Sequence, residues 1–437
     1  MKTAVVCSPW SVVRFWLALS ALLVALCFSA QAQQVHLDAR ELRELIVGNT
    51  VHGQNFRGTP FKQFFDPSGI FFTEFAGMLL TGTWTIGSDG TLCLTSLANP
   101  GNPCAVIRKD ADGLYERIAQ GMPPARWLKV SAGNSLLSAS ALGEAVSFQS
   151  VTFSVGASSF LIPLPKEGTE VTVSGFLALP ERTDPAPAVI LLHGCSGISG
   201  TEIGWSTTLK GLGIATFIVD SFRGRALGQT CSRQESLNPA SAMTDAYSAL
   251  EVLAANPKID RTRIAIMGFS MGGQSALRAS QVRFQERFAK GSIRFAAHLA
   301  FYPAGCIVRL ADEERIGNAP IRIFHGAADD WTLVAPCKAY VERLVKAGKD
   351  ATLTEYDNAH HSFDNPGLAL RTLPSVVNPK NCTFVEESGR IVDAETRGSI
   401  FYSPCWSRGA SVGYNPEAHR KAMTDVEMIL GALFGLK

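Results

Sequence analysis

The sequence predicts an α/β protein, a doubly wound and mainly parallel sheet preceded by a small all-β domain. Three observations carry this. From residue 151 onward, short apolar runs at 188–192, 214–219, 263–267, 294–301, 321–324 and 352–356 alternate with helical segments, the pattern of βαβ units whose strands are covered on both faces. The segment 245–255 places Ala246, Ala249, Leu250, Leu253 and Ala254 on one helical face. Residues 35–130 instead carry short β-like runs at 81–86, 91–94 and 105–107, broken by turn signals such as Ser88-Asp89-Gly90 and Asp110-Ala111-Asp112-Gly113. Turns at that density predict a small antiparallel meander or barrel.

The elements follow in order. Lys2 and Arg14 precede an apolar run at 15–28, and Ser29-Ala30-Gln31-Ala32 supplies the small residues of a cleavage site, so residues 1–32 are expected to be a signal peptide. The alternative is an uncleaved anchor, but the run falls short of the ~20 apolar residues that span a bilayer. Leu26 before Cys27 is also a poor lipoprotein signal. The mature chain is expected to begin near Gln33 and to be exported, periplasmic or secreted, without stable membrane insertion. A short amphipathic helix at 39–47 opens the β domain at 35–130, whose expected role is stabilisation or docking, or binding of an envelope ligand. Gly48-Asn49-Thr50, a Gly-Thr-Trp strand and paired cysteines give it a loose resemblance to small exported bacterial β-domains. The Ser- and Ala-rich stretch 131–150 is the expected linker, and 151–437 the α/β domain. At its end Asn415 is an N-cap, Pro416 the first helical position, and the helix runs to about residue 430.

Composition excludes several classes. Of 437 residues 46% are hydrophobic and 18% charged, which rules out wholesale disorder and allows two or three domains. Forty Lys and Arg against 38 Asp and Glu leave +2, without the basic excess of a nucleic-acid partner. Ten cysteines less Cys7 and Cys27 of the signal leave eight. In an oxidising compartment an even number predicts disulfides, and order along the chain pairs Cys93 with Cys104, Cys195 with Cys231, Cys306 with Cys337, and Cys382 with Cys405. Buried free thiols are the alternative. No C-x-x-C pair, dinucleotide fingerprint or phosphate loop occurs, so neither metal nor cofactor is expected.

The run 263–267 leads straight into Gly268-Phe269-Ser270-Met271-Gly272-Gly273 and a helical stretch at 274–278. A strand that ends in G-x-S-x-G and turns at once into a helix is a nucleophile elbow, with small residues where the turn has no room for side chains. A serine needs a base to take its proton and an acid to fix the tautomer of that base. Both types follow at strand ends, in His325-Gly326-Ala327-Ala328-Asp329-Asp330-Trp331 and in Asp357-Asn358-Ala359-His360-His361-Ser362-Phe363-Asp364. His36, His52, His298 and His419 have no such setting, and Asp357 and Asp364 read as solvated loop residues. The oxyanion donors are expected to be the Met271 N–H and, from the turn His193-Gly194-Cys195-Ser196-Gly197, the Cys195 N–H. Cys195 precedes no elbow, which argues against a nucleophilic role for its thiol.

With these motifs, Asp220-Ser221-Phe222 and the final helix, the chain resembles the α/β-hydrolase superfamily and, within it, the dienelactone hydrolase-like family, over about 165–365. The resemblance implies the α/β-hydrolase fold. By Gly-x-x-Asp it implies Asp329 as the acid, with Asp330 the alternative, and by His-x-Phe His361 as the base, with His360 the alternative. The chain departs from the family in having Ser270 for a cysteine, Gly194 at an acidic position, and Asn365 where an arginine stands. Arg223 and Arg225 lie near another arginine position without matching it and are candidate substrate-binding residues. The insertion 366–413, with Cys382 and Cys405, has no counterpart in the minimal fold. The expected function is a serine carboxylic-ester hydrolase acting on small-molecule or polymeric esters. The alternatives are a peptidase or acyltransferase using the same triad, or a non-catalytic envelope-binding protein. Gly194, Asn365 and the carboxylate of Asp364 further predict a preference for uncharged acyl groups.

Overall fold

The run Ala186–Leu192 is buried at every position, and the main sheet of the protein is assembled around it. The computed structural model describes residues 35–67, 69–75, 78–95, 104–133, 143–154, 167–227, 229–233 and 236–436; the expected signal peptide at 1–32 lies outside them. Eight strands make this sheet: β1 (Glu144–Thr152), β2 (Thr169–Ala178), β3 (Ala186–Leu192), β4 (Ala215–Asp220), β5 (Ile259–Phe269), β6 (His298–Phe301), β7 (Ile321–Gly326) and β8 (Ala351–Tyr356). Their order is β1-β2-β4-β3-β5-β6-β7-β8. β2 runs antiparallel to β1 and β4, and all pairs from β4 to β8 are parallel.

Alternation along β3 assigns its two faces. Ala188, Ile190 and Leu192 meet α2 (Pro239–Ala254), whose Ala240, Met243 and Leu250 are buried. Val189 and Leu191 meet α1 (Gly200–Gly211) and α6 (Pro416–Phe434) through Ile203, Leu209, Ala422 and Val426. The caps follow from the sequence: Asn238 and Asn415 each accept backbone N–H groups ahead of a proline at the start of α2 and α6. Between them, α3 (Met271–Arg278) and α4 (Val282–Phe288) follow β5, and α5 (Val334–Lys346) packs Cys337, Tyr340 and Leu344 beneath β7.

The expected linker is corrected here. Its last residues, 144–150, belong to β1, paired residue for residue with β2. Phe148 and Ser150 are buried between exposed Ser147 and Gln149, a period of two that Ser-rich composition concealed.

The N-terminal region is an eight-stranded up-and-down barrel in which Asn49–Gln54 closes against Ala125–Ala132, with Val35–His36 added beside Ala105–Lys109. Helix Ala39–Ile46, held by a capping box between Asp38 and Glu41, sinks Leu42 and Ile46 into the barrel core. Two Phe-Phe pairs on neighbouring strands divide their labour: Phe65 and Phe71 point into the barrel, while Phe64 and Phe72 point out and join the apolar layer of Phe176 and Ile203.

The insertion contributes an antiparallel pair, Arg371–Asn378 with Ser407–Val412, and the strands Phe384–Glu387 and Arg390–Asp393, which form a small sheet with Val308–Arg309. Disulfides join Cys93 to Cys104, Cys195 to Cys231, Cys306 to Cys337, and Cys382 to Cys405. Four such bonds fit an oxidising compartment. Among the described residues no helix is long and apolar enough to cross a membrane.

Candidate active site

β5 ends at Phe269, α3 begins at Met271, and Ser270 turns the corner with φ 55° and ψ −109°. A non-glycine residue held in that region is strained, and the surroundings must enforce it. They do so by close backbone approach. A Cβ on Gly268 would lie 2.1 Å from the Gly272 carbonyl oxygen, and one on Gly272 would lie 2.2 Å from that of Leu192. Ser270 N–H donates to Phe301 O at 3.0 Å, which ties the turn to β6.

Ser270 Oγ lies 2.9 Å from His361 Nε2, and His361 Nδ1 lies 2.8 Å from Asp329 Oδ2. Asp329 Oδ1 accepts the N–H groups of Trp331 and Thr332, both at 2.9 Å, so the loop after β7 fixes the carboxylate before the histidine reaches it. Burial opposes ionisation of Asp329, but the charge and hydrogen bond of His361, reinforced by the Thr332 N–H, outweigh it and hold the carboxyl below its usual range. Asp330 turns the other way: it accepts from Ser411 N at 2.7 Å and from Ser411 Oγ at 3.1 Å, binding the insertion to this loop. His361 rather than His360 is the histidine that meets Ser270.

Sequence reasoning missed the frame around the imidazole. The rings of Tyr302 and Trp331 flank His361 with centroids at 4.6 and 4.8 Å. Thr332 Oγ1 lies 3.1 Å from His361 Nδ1. Its signal was the spacing, since a threonine three residues after an aspartate is placed to cap that carboxylate. Behind Tyr302 sits Asp364, which corrects its expected place in a solvated loop: it is 1% exposed and accepts from Tyr302 OH and Trp205 Nε1, each at 2.7 Å. Burial raises its carboxyl above the usual range. Asp364 is therefore directed at Tyr302 and Trp205 in the interior rather than at solvent. Asp357 is exposed.

The turn after β3 lies beside the serine, since a Cβ on Gly194 would be 3.6 Å from Ser270 Cβ. Among the described residues neither Cys195 N–H nor Met271 N–H is taken up by a protein acceptor. The Cys195–Cys231 disulfide fixes this turn, and the carbonyls of both cysteines are used, by Thr230 N at 2.8 Å and Val377 N at 3.1 Å.

The two arginines part company. Arg225, expected as a substrate-binding candidate, is buried and gives both Nη atoms to Asp245 at 2.8 Å, Nε to Thr152 Oγ1 at 2.8 Å and Nη2 also to Val151 O at 3.1 Å. A guanidinium so fully engaged binds no substrate; Asp245, buried within α2, required a cation and found this one. Arg223 is part-exposed, with Nη1 3.4 Å from Ser174 Oγ.

A mainly parallel sheet flanked by helices, carrying a strained serine at the turn after β5, fits the α/β-hydrolase class. Residues 173–387, just under half of the chain, match the model of the dienelactone hydrolase family, a family of ester-bond hydrolases. Among solved structures it is similar to the propionate-bound esterase Est2 of Thermogutta terrifontis, at 21% identity over 45% of this chain and 82% of that one, TM-score 0.37. A dienelactone hydrolase-like promiscuous phosphotriesterase from metagenomic libraries is 19% identical over 67% of this chain and 99% of its own, TM-score 0.42. No curated protein matches the chain.

Proposed function

We propose that the chain is an exported serine hydrolase that cleaves carboxylic esters through an acyl-enzyme. The observation that carries this is the hydrogen-bonded series from Ser270 through His361 to Asp329 at a nucleophile elbow. In this reading Ser270 Oγ attacks the ester carbonyl carbon while His361 Nε2 takes its proton, and Asp329 steadies the imidazolium. The negative charge on the carbonyl oxygen is received by the N–H groups of Cys195 and Met271, a donor pair in which each member is typically worth about 10² to 10³ in rate. Collapse breaks the C–O bond, and the departing alcohol takes the proton from His361. Water then repeats the sequence on the acyl-enzyme, releases the acid and restores Ser270. The sheet with helices on both faces is, in the same reading, the doubly wound scaffold of the fold, and residues 35–133 form a separate barrel domain. Export is supported by the basic and apolar N-terminal sequence together with four disulfides.

The test is hydrolysis of esters, amides and polyesters by wild type beside Ser270→Ala, with products identified. Ester turnover is expected, reduced roughly 10³-fold to 10⁶-fold by the substitution. Full activity in Ser270→Ala would overturn the assignment, and acyl transfer to an added alcohol in place of acid release would make the enzyme a transferase.

A further inference from the structure

A cavity of about 260 Å³ lies where the barrel meets the hydrolase domain, beside the turn expected to hold the oxyanion. One wall is Gly82, Thr83 and Thr85 of a barrel strand; the facing wall is Ile198, Phe222 and Leu227. Ser196 and Gly197, immediately after Cys195, form its edge, and Leu227 packs in one cluster with Met271, the residue after the serine. Pockets that take a whole ligand run roughly 300 to 1,000 Å³, so this one has room for one end of a substrate. Its link to Ser270 runs through Ser196 and Gly197, which follow Cys195 directly, and through Leu227, which shares a cluster with Met271.

Among the described residues of the lining, Arg223 is the one cation. Its Nε and Nη2 are buried and make no hydrogen bond, while Nη2 lies 3.6 Å from Asp220 Oδ2 in an ion pair. Asp66 of the barrel also lends it negative potential. The charge of Arg223 is therefore already offset, and what its N–H groups lack is an acceptor. With apolar walls and threonine hydroxyls around it, that acceptor is better a neutral oxygen than a second carboxylate, which would meet Asp220.

We propose that this interdomain cavity binds the non-reacting end of the ester, a compact apolar group bearing a neutral oxygen acceptor, and that the barrel thereby sets substrate selectivity. The inference rests on the ester-hydrolase reading for its substrate, but the cavity is tested separately. Thr85 is exposed on the barrel wall, so Thr85→Trp fills the cavity without disturbing a core. The ratio of kcat/KM for methyl 4-methoxyphenylacetate to that for vinyl acetate is expected to fall about tenfold or more, the scale on which pocket shape discriminates. Calorimetric affinity for 4-methoxyphenylacetamide, which needs no turnover, is expected to fall in parallel. A second variant, Arg223→Met, is expected to erase the preference for the methoxyphenylacetyl over the phenylacetyl ester. An unchanged ratio and unchanged amide affinity in Thr85→Trp would overturn the inference, as would tighter binding of 4-carboxyphenylacetamide than of the methoxy compound. Absence of all ester turnover in wild type would refute the ester reading alone, and the amide measurement would still decide the cavity.

Discussion

The barrel and the hydrolase domain are both built from alternating strands, yet they constrain their residues in different ways. In the barrel, Phe65 and Phe71 face in and Phe64 and Phe72 face out, and what each position requires is bulk on the correct side. At the elbow, positions 268 and 272 admit glycine because backbone oxygens stand 2.1 and 2.2 Å from any added Cβ, and Ser270 is held at a φ that packing alone would not choose. The barrel answers to volume and the elbow to chemistry. Substitutions should therefore affect stability in one region and turnover in the other.

The largest effect expected is in the hydrogen-bonded series. His361→Ala should lower ester turnover roughly 10³-fold to 10⁶-fold, and adding Ser270→Ala should cost little more because the groups act as a unit. Phe72→Ala in the barrel should instead cost about 3 to 5 kcal/mol of stability, read by denaturant titration, while turnover of the folded enzyme on a small ester follows the folded fraction. Next, Asp329→Asn should cost about 10⁴-fold by presenting the wrong hydrogen-bond partner to the imidazole. Asp330→Asn should loosen the insertion while sparing the chemistry, and a larger rate loss in Asp330→Asn would exchange their roles.

A smaller contrast separates two disulfides. Replacing Cys195 and Cys231 by alanine should lower both melting temperature and kcat, because that bond holds the turn beside Ser270. Replacing Cys93 and Cys104 in the barrel should lower the melting temperature alone. Each loss of stability is expected at about 2 to 4 kcal/mol. Equal kcat losses from the two pairs would abolish the distinction between regions. The smallest effect is a pH slope. The carboxyl of Asp329 is held low in the folded protein, so its contribution to stability is complete above the ordinary value near ~3.9 and is lost as pH falls through the folded value. Wild type should therefore lose melting temperature below about pH 4 more steeply than Asp329→Asn, and identical slopes would show that this carboxyl is not the group responsible.

This contrast also explains what could be read from residue order. The elbow at Ser270 and the acid and histidine stretches at two strand ends were legible from the turn and its spacing, whereas the choice of Asp329 over Asp330 and of His361 over His360 rested on the family resemblance. The parallel strands were legible because burial on both faces leaves unbroken apolar runs. Where meaning depended on a distant partner, the reading failed. Arg225 looked available until Asp245 arrived from α2, and a lone aspartate in a helix buried almost all round was the signal that a cation must meet it. Asp364 looked solvated because its partners, Tyr302 and Trp205, lie far away in sequence. β1 was hidden because Ser and Ala were weighed as composition when their alternation with Val146 and Phe148 was the informative property.

The family match ends at residue 387, but the fold does not divide there. Cys382 lies before that limit and its partner Cys405 after it, and the strand Ser407–Val412 supplies both the bridge from Val412 to His361 and the serine that ties down Asp330. A gene truncated at the family limit would encode Ser270, Asp329 and His361 together with an orphaned thiol, and would lack the piece that clasps two of the three loops. In this protein the stretch that matches the family and the stretch held together by packing and a disulfide have different edges, and a domain exchange has to be cut along the second.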